Sequence, residues 1–283
     1  MTNWQPLHGV DPRRLREARV QAHYATQWLA RIARAFVPPQ PDDGHTSLIW
    51  TEALGGMVTQ PMTDGSRVGL DIRKLTFLLV EPRTGMPVLS LPLNGRSDTE
   101  AREWVGQKLT ARGLDPHALD GPSPYELPPH PIAEGGTYDA EENTDGLTEL
   151  RFWFANAAIS LVPIRQRMSD RQFTASPLRC WPHHFDLATL ISFPVKAPNT
   201  TAYIGVGLDP GDDYYDEPYF YVTLHPRPDE SALPRLPTIG HWHTKNFVGA
   251  IAPATKILAT KEPQAETELL LQTAIDTAIN LLR

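Results

Sequence analysis

Proline sets the first limits on what this chain can fold into. There are 28 prolines among 283 residues, and each one fixes φ and removes an amide donor, which disfavours the interior of a helix or of a central strand. They are spread among periodic segments instead of being gathered into repeats, which reads as rigid loops between ordered elements and not as disorder. With 41% apolar residues, a chain of this length buries a sizeable core in one large or two ordinary domains.

Between the prolines the periodicity alternates. Asp11 and Pro12 open a helix in which Leu15, Ala18, Ala22, Ala25, Leu29, Ile32 and Phe36 keep a 3–4 spacing until Pro38 and Pro39 end it. Arg13, Arg14, Arg16 and Arg19 read as its solvated face. Strand-like runs follow at Thr46 to Trp50, Arg67 to Glu81 and Pro87 to Leu93, and hairpins are the simplest connection between them. Gly55-Gly56 reads as a turn or bulge. Ser97 and Glu100 form a capping box for a second helix that closes near Gly113.

After a Pro-, Gly- and acid-rich stretch, a helix through Leu147, Leu150, Phe154, Ala157 and Leu161 is expected to stop at Pro163. More strand-like runs lie at Leu178 to Phe193, Thr201 to Leu208, Pro218 to Leu224 and near His241 to Ile251, before a last helix from about Pro263 to Leu282. The expected fold is α+β, with antiparallel-rich sheets and flanking helices. Its expected organisation is an N-terminal half (1–120), a connection (121–145) and a C-terminal half (146–283). Each half reads helix, strands, helix, which raises the idea of an old duplication.

Charge and cysteine usage narrow the partners. Lys plus Arg is 26 against 33 for Asp plus Glu, a formal charge of -7, so no general attraction to nucleic acid or anionic lipid is expected. The single cysteine, Cys180, has no internal partner and reads as a buried thiol. Met1 to Val10 carries no apolar h-region, and Phe152 to Ile164 is interrupted and shorter than the ~20 residues of a membrane helix. The expectation is a cytoplasmic protein with no membrane contact.

Chemistry concentrates in two short segments, Cys180-Trp181-Pro182-His183-His184-Phe185-Asp186 and Gly240-His241-Trp242-His243-Thr244. In extended backbone, alternate side chains share a face about 6.6 Å apart, which would pair His184 with Asp186 and His241 with His243. Imidazoles with one carboxylate suit zinc or iron, so His184, Asp186, His241 and His243 form a candidate ligand set. The competing reading makes them half-buried strand residues that orient tautomers and turns, with Trp242 in the core. The stretch Asp209 to Glu217 reads as a solvated turn whose aspartates cap backbone amides, and Glu217, leading into an aromatic strand, is placed to face a pocket.

The pieces Trp181-Pro182-x-His184-Phe185-Asp186-Leu187-Ala188, Pro210-Gly211-Asp212, Glu217-Pro218-Tyr219-x-Tyr221-Val222 and Phe247-x-Gly249-Ala250 resemble, in order and spacing, a bacterial family of uncharacterised proteins defined by a domain of unknown function. The resemblance covers mainly Asp145 to Arg283 and carries no activity. It implies that His184, Asp186, Asp212 and Glu217 belong to one arrangement, whereas His183, His241 and His243 lie outside its signature. The expected function is a small-molecule pocket with His184, Asp186 and Glu217 as catalytic residues, hydrolytic, with or without zinc or iron. The alternative is a non-catalytic ligand-binding or protein-assembly module in which these residues are braces and Tyr214 and Tyr215 make a protein contact.

Overall fold

The computed structural model describes residues 3–7, 9–41, 43–121, 125–195, 201–236 and 239–283. Part of the expected connection, residues 122–124, lies outside them. The fold is α+β with two antiparallel sheets. By contact the chain divides into two compact units, one of Leu15–Arg151 with Cys180–Phe185 and the other of Met1–Arg14, Phe152–Arg179 and Asp186–Arg283.

The first unit is built on α1 (Arg16–Phe36) and a sequential meander of β1 (Ile49–Thr51), β2 (Gly56–Val58), β3 (Arg67–Asp71), β4 (Thr76–Val80) and β5 (Pro87–Pro92). Leu29, Ile32 and Ala33 on α1 are fully buried, as are Leu70 and Phe77 on the sheet, and each large apolar side chain so buried contributes roughly 1.5–3 kcal/mol. Arg19 corrects the expected solvated face: it is buried, at 7% exposure, while Arg13, Arg14 and Arg16 are exposed.

The expected long strand from Arg67 to Glu81 is folded in two. Ile72 and Leu75 are both fully buried and Leu75 takes a left-handed φ of 41° in the turn, so a strand-like run conceals a hairpin whose tip is the exposed pair Arg73 and Lys74. Gly55, at φ 60°, makes the turn that was expected, and Gly56 then opens β2. Thr46 belongs to a short 3-10 turn before β1. The helix α2 (Asp98–Thr110) carries the complete capping box between Ser97 and Glu100.

A long helix, α3 (Thr144–Asp170), runs through Pro163. The expectation that proline would end it fails because Pro163 lies on the exposed side, between exposed Val162 and buried Ile164. A proline on the solvent side of a helix leaves the carbonyl that loses its amide partner where water can reach it. β6 (Thr174–Ala175) and β7 (Arg179–Trp181) follow, and fully buried Cys180 forms a backbone β-bridge with Leu48 within the first unit.

The second unit's sheet uses β8 (Asp186–Pro194), β9 (Thr201–Asp209), β10 (Tyr219–His225), β11 (His241–His243) and β12 (Gly249–Pro253). Its strand order is β11-β12-β10-β9-β8-β6. The two sheets thus differ in order, and the duplication finds no support in them. Two helices close the chain, α4 (Ala254–Leu258) and α5 (Pro263–Leu282).

Phe220 and Trp153 are both fully buried in this unit, and the ring of Trp4 stacks on Phe220 at 5.7 Å. The N-terminal segment is pinned by Asn156, whose Oδ1 accepts from the Gln5 amide at 2.7 Å and whose Nδ2 donates to the Gln5 carbonyl at 3.0 Å. A buried side-chain amide here does the work of a strand partner. No helix among the described residues is long and apolar enough to cross a membrane.

Candidate functional site

The sequence-predicted residues are divided between the two units. His184 sits in the first unit, on a tight turn from Pro182 to Phe185, while Asp186, Glu217, His241 and His243 belong to the second. The shared strand face expected for His184 and Asp186 does not form, because the backbone turns: the amides of His184 and Phe185 both donate to the Trp181 carbonyl, and Phe185 adopts a left-handed φ of 61°.

Behind that turn, His23 and Gln27 of α1 both donate from Nε2 to the Pro182 carbonyl, at 2.8 and 2.7 Å. The His23 ring stacks on Phe185 at 5.3 Å and 9°. A carbonyl only accepts, so neutral His23 carries its proton on Nε2. Burial holds its pKa down at about 4.

In the second unit the alternation of β10 aims Tyr219 and Tyr221 to one face. Tyr221 crosses the neighbouring strand at Gly207, where a Cβ would lie 2.6 Å from its hydroxyl, so glycine is what lets the ring lie flat. Its hydroxyl donates to Oδ2 of Asp186, the buried first residue of β8. Burial and then the charge of Asp186 push the Tyr221 phenol well above its ordinary pKa, which keeps it a donor.

The acidic stretch forms the turn expected of it. Asp209 Oδ1 accepts from the Gly211 amide at 2.8 Å, and Asp212 Oδ1 accepts from the amides of Tyr214 and Tyr215 at 2.8 and 2.9 Å. The other oxygen of Asp212 takes the Tyr219 hydroxyl at 2.9 Å. The Glu217 carboxylate accepts from the amide and hydroxyl of Thr255, at 2.6 and 3.0 Å. The N-cap residue of α4, Pro253, has no side chain able to cap, and Glu217 supplies that cap from 38 residues away.

His241 and His243 do share a face, as their spacing predicts, and what they share is the hydroxyl of Tyr215. It lies 3.0 Å from His241 Nε2 and 3.0 Å from His243 Nδ1. The direction of these bonds follows from the far nitrogen, since His243 Nε2 lies 2.6 Å from the Lys245 carbonyl and must donate to it. In the neutral state His243 Nδ1 is then an acceptor, Tyr215 donates to it, and His241 Nε2–H donates to Tyr215. Burial and the neighbouring His243 lower the pKa of His241.

Around this chain of bonds, Phe247 stacks on His243 at 4.3 Å and the ring of Tyr214, 39% exposed, meets His243 edge-on at 5.0 Å. Trp242 is half-buried, not a core residue, and its indole donates to the Pro234 carbonyl at 2.6 Å. Among the described residues strand β11 pairs with β12 alone and is therefore an edge. Sequence reasoning missed half-buried Tyr215 as the residue that joins the two imidazoles.

Among the described residues, no group of three or more His, Cys, Asp or Glu side chains is placed to hold a metal ion. The expected zinc or iron set of His184, Asp186, His241 and His243 is not assembled. The reason is local: one member is in a turn, one is hydrogen-bonded to Tyr221, and two face a phenol. A cleft of about 700 Å³ runs along α3 and α5, between Val162, Pro163, Arg167, Gln264 and Glu268, and none of the predicted site residues lines it. No family model, no curated protein and no solved structure matches this chain.

Proposed function

We propose that the chain is a non-catalytic binding module that docks a protein partner on the β11 edge, with Asp186, Asp212 and Glu217 acting as internal braces. The observation that carries this reading is how the carboxylates are used. Asp186 is bonded to Tyr221, Asp212 to Tyr219 and two turn amides, and Glu217 to Thr255. A hydrolytic site needs a carboxylate or imidazole turned towards substrate, and these are turned towards their own fold.

The edge supplies what a contact needs. Tyr214, Tyr215, His243 and Phe247 gather aromatic surface of the kind that anchors interfaces, and an edge strand adds backbone groups for an extended partner. The signature from Trp181 to Ala188 and from Glu217 to Val222, which resembles the bacterial family, is on this reading a folding signature.

Two measurements test the proposal. Glu217→Ala is expected to lower stability by about 1 kcal/mol, the worth of a lost helix cap, in a thermal or urea melt. A benzophenone side chain placed at position 214 is expected to crosslink to a protein chain in cells that produce the protein, with the product lost on Phe247→Ala. Absence of any protein adduct at that position, or unchanged stability in Glu217→Ala, sinks the respective half of the reading.

A further inference from the structure

The helix α1 presents Tyr24, Gln27, Trp28 and Arg31 at a 3–4 spacing, which places them on one face. Together with Asp98 and Tyr125 they line a cleft of about 290 Å³ within the first unit, the size of a small metabolite site. Asp98 is fixed there by two buried donors: the Trp28 indole N–H at 2.7 Å and the Tyr138 hydroxyl at 2.9 Å, both to Oδ1. Trp28 is 6% exposed and Tyr138 fully buried. Neither donor brings a positive charge. Nor does α2 draw on Asp98, because its first turn is closed by Ser97 and Glu100.

Arg31 stands over the same indole, its guanidinium 5.4 Å from the ring centre. Its Nη1 donates to the carbonyls of Gly121 and Leu119, at 2.8 and 3.4 Å, which again are neutral partners. Asp98 and Arg31 form no ion pair with each other among the described residues. One aromatic cleft therefore carries a carboxylate and a guanidinium, each oriented by neutral groups and neither balanced by the other. Opposite charges held apart on a shared wall are complementary to a ligand with the reverse arrangement.

We propose that this cleft binds a small zwitterion of the amino-acid class, its ammonium at Asp98, its carboxylate at Arg31 and its side chain between the rings of Tyr24 and Tyr125. The site is independent of the β11 edge.

The test is calorimetric titration of the full chain with the protein L-amino acids, and with phenethylamine and 3-phenylpropionate, which lack one charge each. Saturable binding of at least one amino acid is expected, with phenethylamine and 3-phenylpropionate weaker than L-phenylalanine. Asp98→Asn keeps the oxygen that accepts from Trp28 and Tyr138 and removes the charge, so amino-acid affinity is expected to fall about tenfold or more while 3-phenylpropionate is unaffected. Arg31→Gln, at a half-buried surface position, is expected to give the mirror result and carries the test if Asp98→Asn folds poorly. No saturable binding by any amino acid, or equal affinity in the two variants and the original chain, overturns the proposal.

Discussion

His23 and His243 each donate from Nε2 to a backbone carbonyl, Pro182 at 2.8 Å and Lys245 at 2.6 Å, and the resemblance ends there. His23 is sealed beneath a turn, stacked on a fully buried phenylalanine, so its whole ring belongs to the interior of the fold. His243 lies on an edge strand, and its second nitrogen reaches Tyr215 and through it His241. The same bond is a fastening in one unit and the anchored end of a surface network in the other. The difference comes from backbone form: a turn sends successive side chains apart, while a strand returns alternate ones to one face.

The largest effect is expected where the fastening is removed. Phe185 is fully buried and supplies the surface on which His23 stacks, so Phe185→Ala should cost about 3–5 kcal/mol in urea unfolding, the usual range for deleting a core aromatic. A cost near that of a surface substitution would mean that the turn is held by its hydrogen bonds alone and that the contrast between the two histidines is shallower than the geometry indicates.

A pH titration sharpens the same contrast. His23 takes a proton near its ordinary pKa of 6.5 when unfolded and only near about 4 in the fold, chiefly through burial and then through the charges of Arg19, His184 and His183. Between those values the unfolded chain binds more protons, so stability rises with pH: the contribution is complete above 6.5 and is lost as pH falls towards 4. A shift of this size corresponds to about 3 kcal/mol. His23→Gln retains an N–H for the Pro182 carbonyl but cannot titrate, and is expected to flatten that part of the stability profile. An unchanged slope would assign the acid sensitivity to carboxylates instead.

What the sequence made legible follows the range over which each feature is decided. The capping box at Ser97 and Glu100 and the last helix at Pro263 to Leu282 are set by residues within a few positions of one another, and both were readable. The hairpin at Ile72 to Leu75 was hidden because no Gly, Pro or Asn marks a turn whose exposed Arg73 and Lys74 are flanked by buried Ile72 and Leu75, and Pro163 misled because only the tertiary fold decides which side of α3 meets solvent. At the candidate site, the pairing of His241 with His243 was visible in the spacing. The capping of α4 by Glu217 was not, since the carboxylate and the amide it accepts from are 38 residues apart. The cleft at Asp98 was hidden for the same reason, because its carboxylate is fixed by Trp28 and Tyr138, 70 and 40 residues away.

The smallest energetic effect belongs to the network at the β11 edge and is the most informative about it. Tyr215→Phe keeps the ring against Tyr219, at 4.9 Å, and removes only the hydroxyl, so it should cost about 1 kcal/mol or less. Nitrogen-15 spectra of the imidazoles at mildly alkaline pH separate the two histidines. His243 is expected to remain protonated on Nε2 in both proteins, because the Lys245 carbonyl fixes that tautomer whether or not Tyr215 donates to Nδ1. Among the described residues the phenol is the hydrogen-bond partner of the His241 ring, so His241 should begin to exchange between its two neutral forms once the hydroxyl is gone. If His243 changes tautomer instead, the order of donation runs the other way along the chain, and the edge is organised from His241 inward.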